Sequence, residues 1–128
     1  MAPAAPFRTL KVWRDSMDLV EDVYSLTRRF PSDERFGLSA QLRRAAVSIP
    51  SNIGEGARRK RHKVKVYFWE IALGSQSELD VQLEIAQRLA FCSAEDYSKI
   101  RSRLDEVGRM LSGLIASVKR AEQLAGSK

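Results

Sequence analysis

The feature that most constrains the fold is a set of apolar residues near the C-terminus that are alternately three and four positions apart. This spacing places all of them on one face of an α-helix. It is typical of long helices that pack lengthwise at crossing angles of about +20°. The residues are Tyr97, Ile100, Leu104, Val107, Leu111, Leu114, Val118 and Ala121.

The first helix is predicted from Val12, and Pro31 ends it because a residue before proline is pushed away from helical geometry. Two adjacent apolar rows make a face wider than one partner helix usually covers. The helix either lies between two neighbours in the same chain or also contacts another subunit. The candidate subunit contacts are Val12, Trp13, Met17, Leu19, Val20 and Val23.

The second helix is expected to begin near residues 37–39, with Ser39 as a possible N-cap. Its interior contains Pro50. Proline lacks the N–H that a helix needs, so a kink or break is expected there. Its polar residues form either a solvated face or a buried network shared with Glu78. They are Arg43, Arg44, Ser48, Ser51, Asn52 and Glu55.

The third helix is predicted from about Lys63 to Leu89. Its expected core row is Val64, Phe68, Ile71, Ser75, Leu79 and Ala86, with Ala72 and Leu83 beside it. Short connections between long helices force antiparallel neighbours. The sequence therefore predicts an all-α protein, an antiparallel up-down four-helix bundle over residues 9–125 after a short N-terminal arm at 1–8.

Composition adds three expectations. A chain of 128 residues with 44% hydrophobic residues buries enough surface to fold without a metal or disulfide. Its single cysteine, Cys92, cannot form an internal disulfide, which favours a reducing, cytoplasmic location. No segment is apolar enough to span a bilayer, so no membrane association is expected.

The basic residues are concentrated in one part of the chain. Residues 31–63 contain eight basic and three acidic side chains, a net charge of +5 out of +6 for the whole chain. Such a density of cations attracts phosphate backbones through counterion release, although a solvated loop without a ligand is the alternative. The densest run is Arg58, Arg59, Lys60, Arg61, Lys63 and Lys65.

The groups that familiar enzymes use are missing from the sequence. The only histidine, His62, lies in the basic run, which makes a Ser-His or Cys-His pair improbable. The chain has no Glu-x-x-His motif, no set of zinc ligands and no glycine-rich phosphate loop. We therefore expect a protein that is not an enzyme and holds no metal or cofactor.

The run from Phe36 to Gly56 closely resembles a bacterial family of four-helix-bundle proteins first noticed as reading frames in intervening sequences of 23S ribosomal RNA genes. Residues 10–13, 23–31 and 71–79 also agree, and the resemblance spans about 7–89. Gly54, where the family usually has alanine, and the denser basic run depart from its pattern.

The resemblance implies a homopentamer arranged as a barrel around a central pore. The family is also similar to the accessory variability determinant of diversity-generating retroelements, a basic pentamer that binds nucleic acid and associates with a reverse transcriptase. Two hypotheses follow. The first is an oligomer that binds nucleic acid, RNA rather than DNA, through Arg43, Arg44 and the basic run. The second is a scaffolding oligomer whose partner is a protein.

Overall fold

The computed structural model describes residues 6–126, which contain four α-helices and no β-strand. A 3-10 turn at Pro6–Thr9 precedes α1, and a second at Ser32–Glu34 precedes α2. The helices are α1 at Lys11–Thr27, α2 at Leu38–Ala57, α3 at His62–Arg88 and α4 at Ala94–Gly126. Residues 1–5 of the expected N-terminal arm lie outside the described part.

Each helix packs against two others, α1 and α3 each lying against both α2 and α4. Their shared core consists of aliphatic side chains removed from water. Burial of each such side chain stabilises the fold by about 1.5–3 kcal/mol. The largest fully buried apolar side chains are Leu19, Val23, Leu26, Leu42, Ile49, Ile53, Leu79, Leu83, Leu104, Val107 and Leu111.

The two apolar rows of α1 have different environments. The row that includes Val12, Leu19 and Val23 is buried inside the chain's own core. The prediction that these three contact another subunit is wrong, because neighbouring helices of the same chain already cover them. Met17 is 40% exposed, and Trp13 and Val20 are half-buried at the edge of the core.

α2 continues through Pro50 without interruption, so a break at the proline, one of the two expected outcomes, is wrong; a kink there stays a prediction. Pro50 itself is buried, and Ile49 and Ile53 beside it are fully buried. Core packing on both sides of the proline holds the segment helical although the ring removes one backbone donor. Ser39 is not the N-cap either, because α2 starts at Leu38 and Ser39 is buried in its first turn.

α3 has the predicted bounds to within one residue, but the first half of its predicted core row is wrong. Ile71 is 38% exposed, and Val64 and Phe68 are only half-buried. Val66 and Trp69 take the core positions in that half of the helix. The apolar residues of α3 lie on more than one face, so spacing alone did not identify the inner face.

α4 begins as its sequence indicates. The backbone N–H of Asp96 donates to Ser93 Oγ at 3.1 Å, so Ser93 caps the N-terminus of the helix. Ile100, Leu104, Val107 and Leu111 are buried as predicted. The end of the predicted row is not in the core: Tyr97, Leu114 and Val118 are half-buried, and Ala121 is exposed.

Candidate nucleic-acid interface

The turn between α2 and α3 carries the basic run, and Lys65 holds the turn in place. The ammonium group of Lys65 donates to the carbonyl oxygens of Gly56 at 3.3 Å and Ala57 at 3.0 Å. These carbonyls lie at the end of α2, where helical partners run out. Partial burial lowers the pKa of Lys65. Lys65 therefore has a structural position and is not part of an outward phosphate-binding surface.

Trp69 fixes α3 against the end of α2. Its indole N–H donates to the carbonyl oxygen of Ile53 at 3.0 Å, and only 3% of the residue is exposed. The indole lies over Gly56, where an added Cβ would be 2.5 Å from Nε1. Glycine is thus required for this close approach, which sets the position of the turn.

Three cations of the run point outward from this fixed turn. Lys60, Arg61 and Lys63 are exposed, and within residues 6–126 their side chains form no ion pair or hydrogen bond. With His62 and Glu122 they line a shallow concavity of about 360 Å³. We call Lys60, Arg61 and Lys63 the turn cations. They are the members of the basic run best placed to bind an anion.

Arg58 and Arg59 are held by contacts within the chain. The Arg58 guanidinium lies 5.1 Å from the centre of the Phe7 ring. Arg59 pairs with Glu55 at 2.7 Å and lies 5.2 Å from the centre of the Phe68 ring. Sequence reasoning missed the contact with Phe7, because this residue is far from the run in sequence and only the packing of the N-terminal turn brings it close.

Arg43 and Arg44 are separated from the turn cations. Arg43 donates from Nε to Thr27 Oγ1 at 2.8 Å and lies 4.6 Å from the Tyr24 ring centre. Arg44 is exposed. It precedes Arg58 by fourteen positions, a rise of about 21 Å along α2. The eight predicted basic residues therefore do not form one surface.

A groove between α1 and α2 is lined mainly by apolar side chains. Phe7, Trp13, Met17 and Val20 line one side of it, and its volume is about 500 Å³. We call this feature the α1–α2 groove. Its lining residues on α2 are Val47, Pro50, Ser51, Gly54, Glu55 and Arg58.

The polar residues of α2 form a smaller network than the buried one, shared with Glu78, that the sequence analysis considered. Ser48 Oγ lies 2.7 Å from Ser75 Oγ on α3, and the Asn52 amide donates to Ser48 Oγ at 3.0 Å. Ser51 is exposed outside this network. Glu78 is also outside it, because its carboxylate accepts a hydrogen bond from Gln82 on its own helix.

Two kinds of site are missing from the part of the chain that the structure describes. No group of three or more His, Cys, Asp or Glu residues there could hold a metal ion. No helix there has the length and apolarity needed to cross a membrane.

Comparison with known proteins identifies the family. The family model described as 23S rRNA-intervening sequence protein matches residues 8–113. The chain belongs to this family. The match confirms the resemblance of the Phe36–Gly56 run, and it extends over much of α4, where the sequence shows only a generic apolar pattern.

A solved structure has the same fold. It is a protein of unknown function from the S23 ribosomal protein family of Bacteroides thetaiotaomicron, 24% identical to this chain. The alignment covers 81% of this chain and 97% of that one, with a TM-score of 0.76. No curated protein matches the chain.

Proposed function

We propose that this chain is a non-enzymatic, cytoplasmic homo-oligomer that binds nucleic acid, RNA in preference to DNA, through the turn cations. The observation that carries the proposal is the group of three exposed cations around one concavity, none of them neutralised within the described residues. The preference for RNA rests on the family resemblance.

The local electrostatics favour a phosphate backbone as the ligand. The turn cations lie at the N-terminus of α3, where the helix dipole adds partial positive charge. Of the residues that line the same concavity, Glu122 carries the only negative charge, so the three turn cations outnumber it. The binding of phosphates by lysine and arginine releases condensed counterions, and the contacts carry no sequence information directly. We therefore expect binding that depends steeply on salt and weakly on sequence.

The proposed architecture is an antiparallel up-down bundle. Two contacts between α2 and α3 support opposite directions. The first joins Ser48 to Ser75, and the second joins Ile53 to Trp69. Ile53 follows Ser48 in α2, whereas its partner Trp69 precedes Ser75 in α3. This order is the one expected if the two helices run in opposite directions. The connection between the two helices is also short, as expected for antiparallel neighbours.

The proposed assembly is a homopentamer, the number that the family resemblance implies. Apolar surface at Trp13, Met17 and Val20 supports a subunit contact, because exposed apolar grooves often mark interaction sites. Light scattering that gives a mass of 14.5 kDa at micromolar concentration would contradict any oligomer.

The same groove favours the second candidate function, a scaffold that binds a protein. In that case the turn cations serve solubility, and the wild-type chain binds neither RNA nor DNA at low salt. Binding of the wild-type chain to RNA and DNA at low salt therefore distinguishes the two functions. A scaffold that does not bind nucleic acid releases no counterions from it.

The test compares two variants of equal charge. In the first, Lys60, Arg61 and Lys63 are replaced by Gln; in the control, the exposed cations Arg28, Lys99 and Arg109 on other elements are replaced by Gln. Fluorescence anisotropy measures binding to a short single-stranded RNA and to DNA of the same sequence over a range of salt concentrations. The salt slope should fall by about 0.7 per lost RNA contact, or about 2 in the first variant.

The control variant distinguishes binding at the turn cations from nonspecific electrostatic attraction by the net charge of the chain. If binding depends only on net charge, both variants lose affinity equally, and the turn cations are not the site. Unchanged binding in the first variant also contradicts the proposal and makes Arg44 the next candidate. Stronger binding to DNA than to RNA would overturn the stated preference.

A further inference from the structure

A row of apolar side chains runs along the outer face of α3. Successive members are four or ten residues apart, which at about 100° per residue places all of them within about 80° of one another on one side of the helix. They are between 38% and 61% exposed. From first to last they extend about 33 Å along the helix. We call this row the α3 stripe; it consists of Tyr67, Ile71, Val81, Ile85 and Leu89.

The core of the chain does not use this stripe. Ala72, Leu79, Leu83 and Ala86 already fill the inner face of α3 and are fully buried. A helix that is apolar on its outer face as well as its inner one is typical of a helix covered on both sides. Gly74 lies on the outer face, and a Cβ added there would meet open space, so another backbone can approach closely.

The charge near the stripe is not balanced within the chain. Three of the four carboxylates on α3 pair with cations: Glu70 with Lys119 at 3.3 Å, Asp80 with Arg101 at 3.1 Å and Glu84 with Arg88 at 3.2 Å. The fourth, Glu78, is exposed in the middle of the stripe, and no cation pairs with it within residues 6–126.

The α1–α2 groove has the opposite imbalance. Its carboxylate, Glu55, is paired with Arg59. Arg58 lines the groove with its guanidinium over the Phe7 ring, and Arg44 is exposed on the same helix; neither has a carboxylate partner in the described part. The groove is thus mainly apolar with one unpaired cation, Arg58, in its lining, whereas the stripe is apolar with an unpaired carboxylate.

We propose that the α3 stripe of one chain docks in the α1–α2 groove of a second copy. This inference rests on the proposed homo-oligomer and identifies its two surfaces. One such contact covers both apolar surfaces and brings Glu78 towards Arg58, the unpaired cation in the lining of the groove. A two-fold contact of groove against groove would leave the whole α3 stripe in water. A contact between two different surfaces repeats from copy to copy and can close into a ring.

The test uses two variants that each lose one surface. The groove variant carries Met17→Glu and Val47→Glu, and the stripe variant carries Val81→Glu and Ile85→Glu. All four native side chains are at least 40% exposed, so the fold should tolerate the changes, and circular dichroism checks this. The control carries Ser98→Glu and Ser102→Glu at exposed positions of α4.

Light scattering after gel filtration measures the mass of each variant alone and in an equal mixture. We expect each surface variant alone to be a 14.5 kDa monomer and the control to assemble as the wild type does. The mixture should give a complex of one chain of each kind and nothing larger, because one intact groove meets one intact stripe. The added glutamates repel one another and prevent a second contact.

Three results would overturn the inference: a monomeric wild type, a stripe variant that assembles normally, or a mixture that stays monomeric. RNA binding by the turn cations is measured on the same proteins by anisotropy and does not require this contact. RNA binding by a monomeric wild type would therefore reject the docking proposal and retain the proposed nucleic-acid function.

Discussion

The two glycines at the end of α2 should respond oppositely to replacement by alanine. At Gly56, an added Cβ would be 2.5 Å from Trp69 Nε1, 2.6 Å from Trp69 Cδ1 and 3.0 Å from the backbone oxygen of Lys65. Because ordinary contact requires about 3.5 Å, the indole would have to move by about 1 Å. The backbone oxygen limits movement on the other side. At Gly54, the nearest atom belongs to Phe7 at 3.5 Å, an ordinary contact.

The expected change in the free energy of unfolding of Gly56→Ala combines three contributions. Overpacking in a well-packed site costs about 1–3 kcal/mol. Displacement of the indole from the Ile53 carbonyl leaves the buried indole N–H without its acceptor, a further cost of about 1–3 kcal/mol. The better helix propensity of alanine offsets about 1 kcal/mol. We expect Gly56→Ala to destabilise the fold by about 1–5 kcal/mol, with a central value of about 3 kcal/mol, and Gly54→Ala to stabilise it by up to about 1 kcal/mol.

Urea unfolding followed by circular dichroism measures both variants. The protein concentration must be the same throughout, because the stability of the proposed oligomer would depend on it. With a slope of about 2 kcal/mol per molar urea, the central loss of about 3 kcal/mol should lower the midpoint of Gly56→Ala by about 1.5 M. An unchanged or higher midpoint for Gly56→Ala would refute the packing argument. A lower midpoint for Gly54→Ala than for the wild type would refute the expectation that an added Cβ fits at Gly54.

Three other substitutions test local features of the helices. Ser48→Ala removes the hydrogen bond to Ser75 and should lower stability by about 1–2 kcal/mol; an unchanged urea midpoint would show that this bond contributes little. Pro50→Ala restores a backbone donor and should raise the melting temperature while α2 stays helical; a lower melting temperature would show that burial of the ring matters more. Ala90 has a φ of 62°, so Ala90→Gly should stabilise the end of α3 by about 1 kcal/mol, and a loss of stability on urea unfolding would contradict this.

The candidate site was predicted only in part. A dense run of cations is visible in any reading of residues 58–65, and the turn cations come from it. The sequence does not show that Lys65 turns inward to the end of α2, because that depends on where α3 starts. Nor does it show that Arg43 contacts Tyr24 and Thr27 of α1, since this requires the packing of two helices.

The sequence by itself determined that the chain forms four helices and approximately where they begin and end. Helix formation depends on local properties, which are apolar spacing, capping residues such as Ser93 and breakers such as Pro31. These signals act over a few residues, so they are readable without knowledge of the fold. The start of α3 was therefore predicted to within one residue.

Only the tertiary structure decided which apolar face of each helix is buried. Periodicity shows that residues share a face, but the neighbouring helices determine which face they cover. On α3, contacts with α2 and α4 bury Trp69 and Leu79 and leave Ile71 and Val81 exposed. Pro50 shows the same limit, because buried Ile49 and Ile53 keep α2 helical where local chemistry predicts a break.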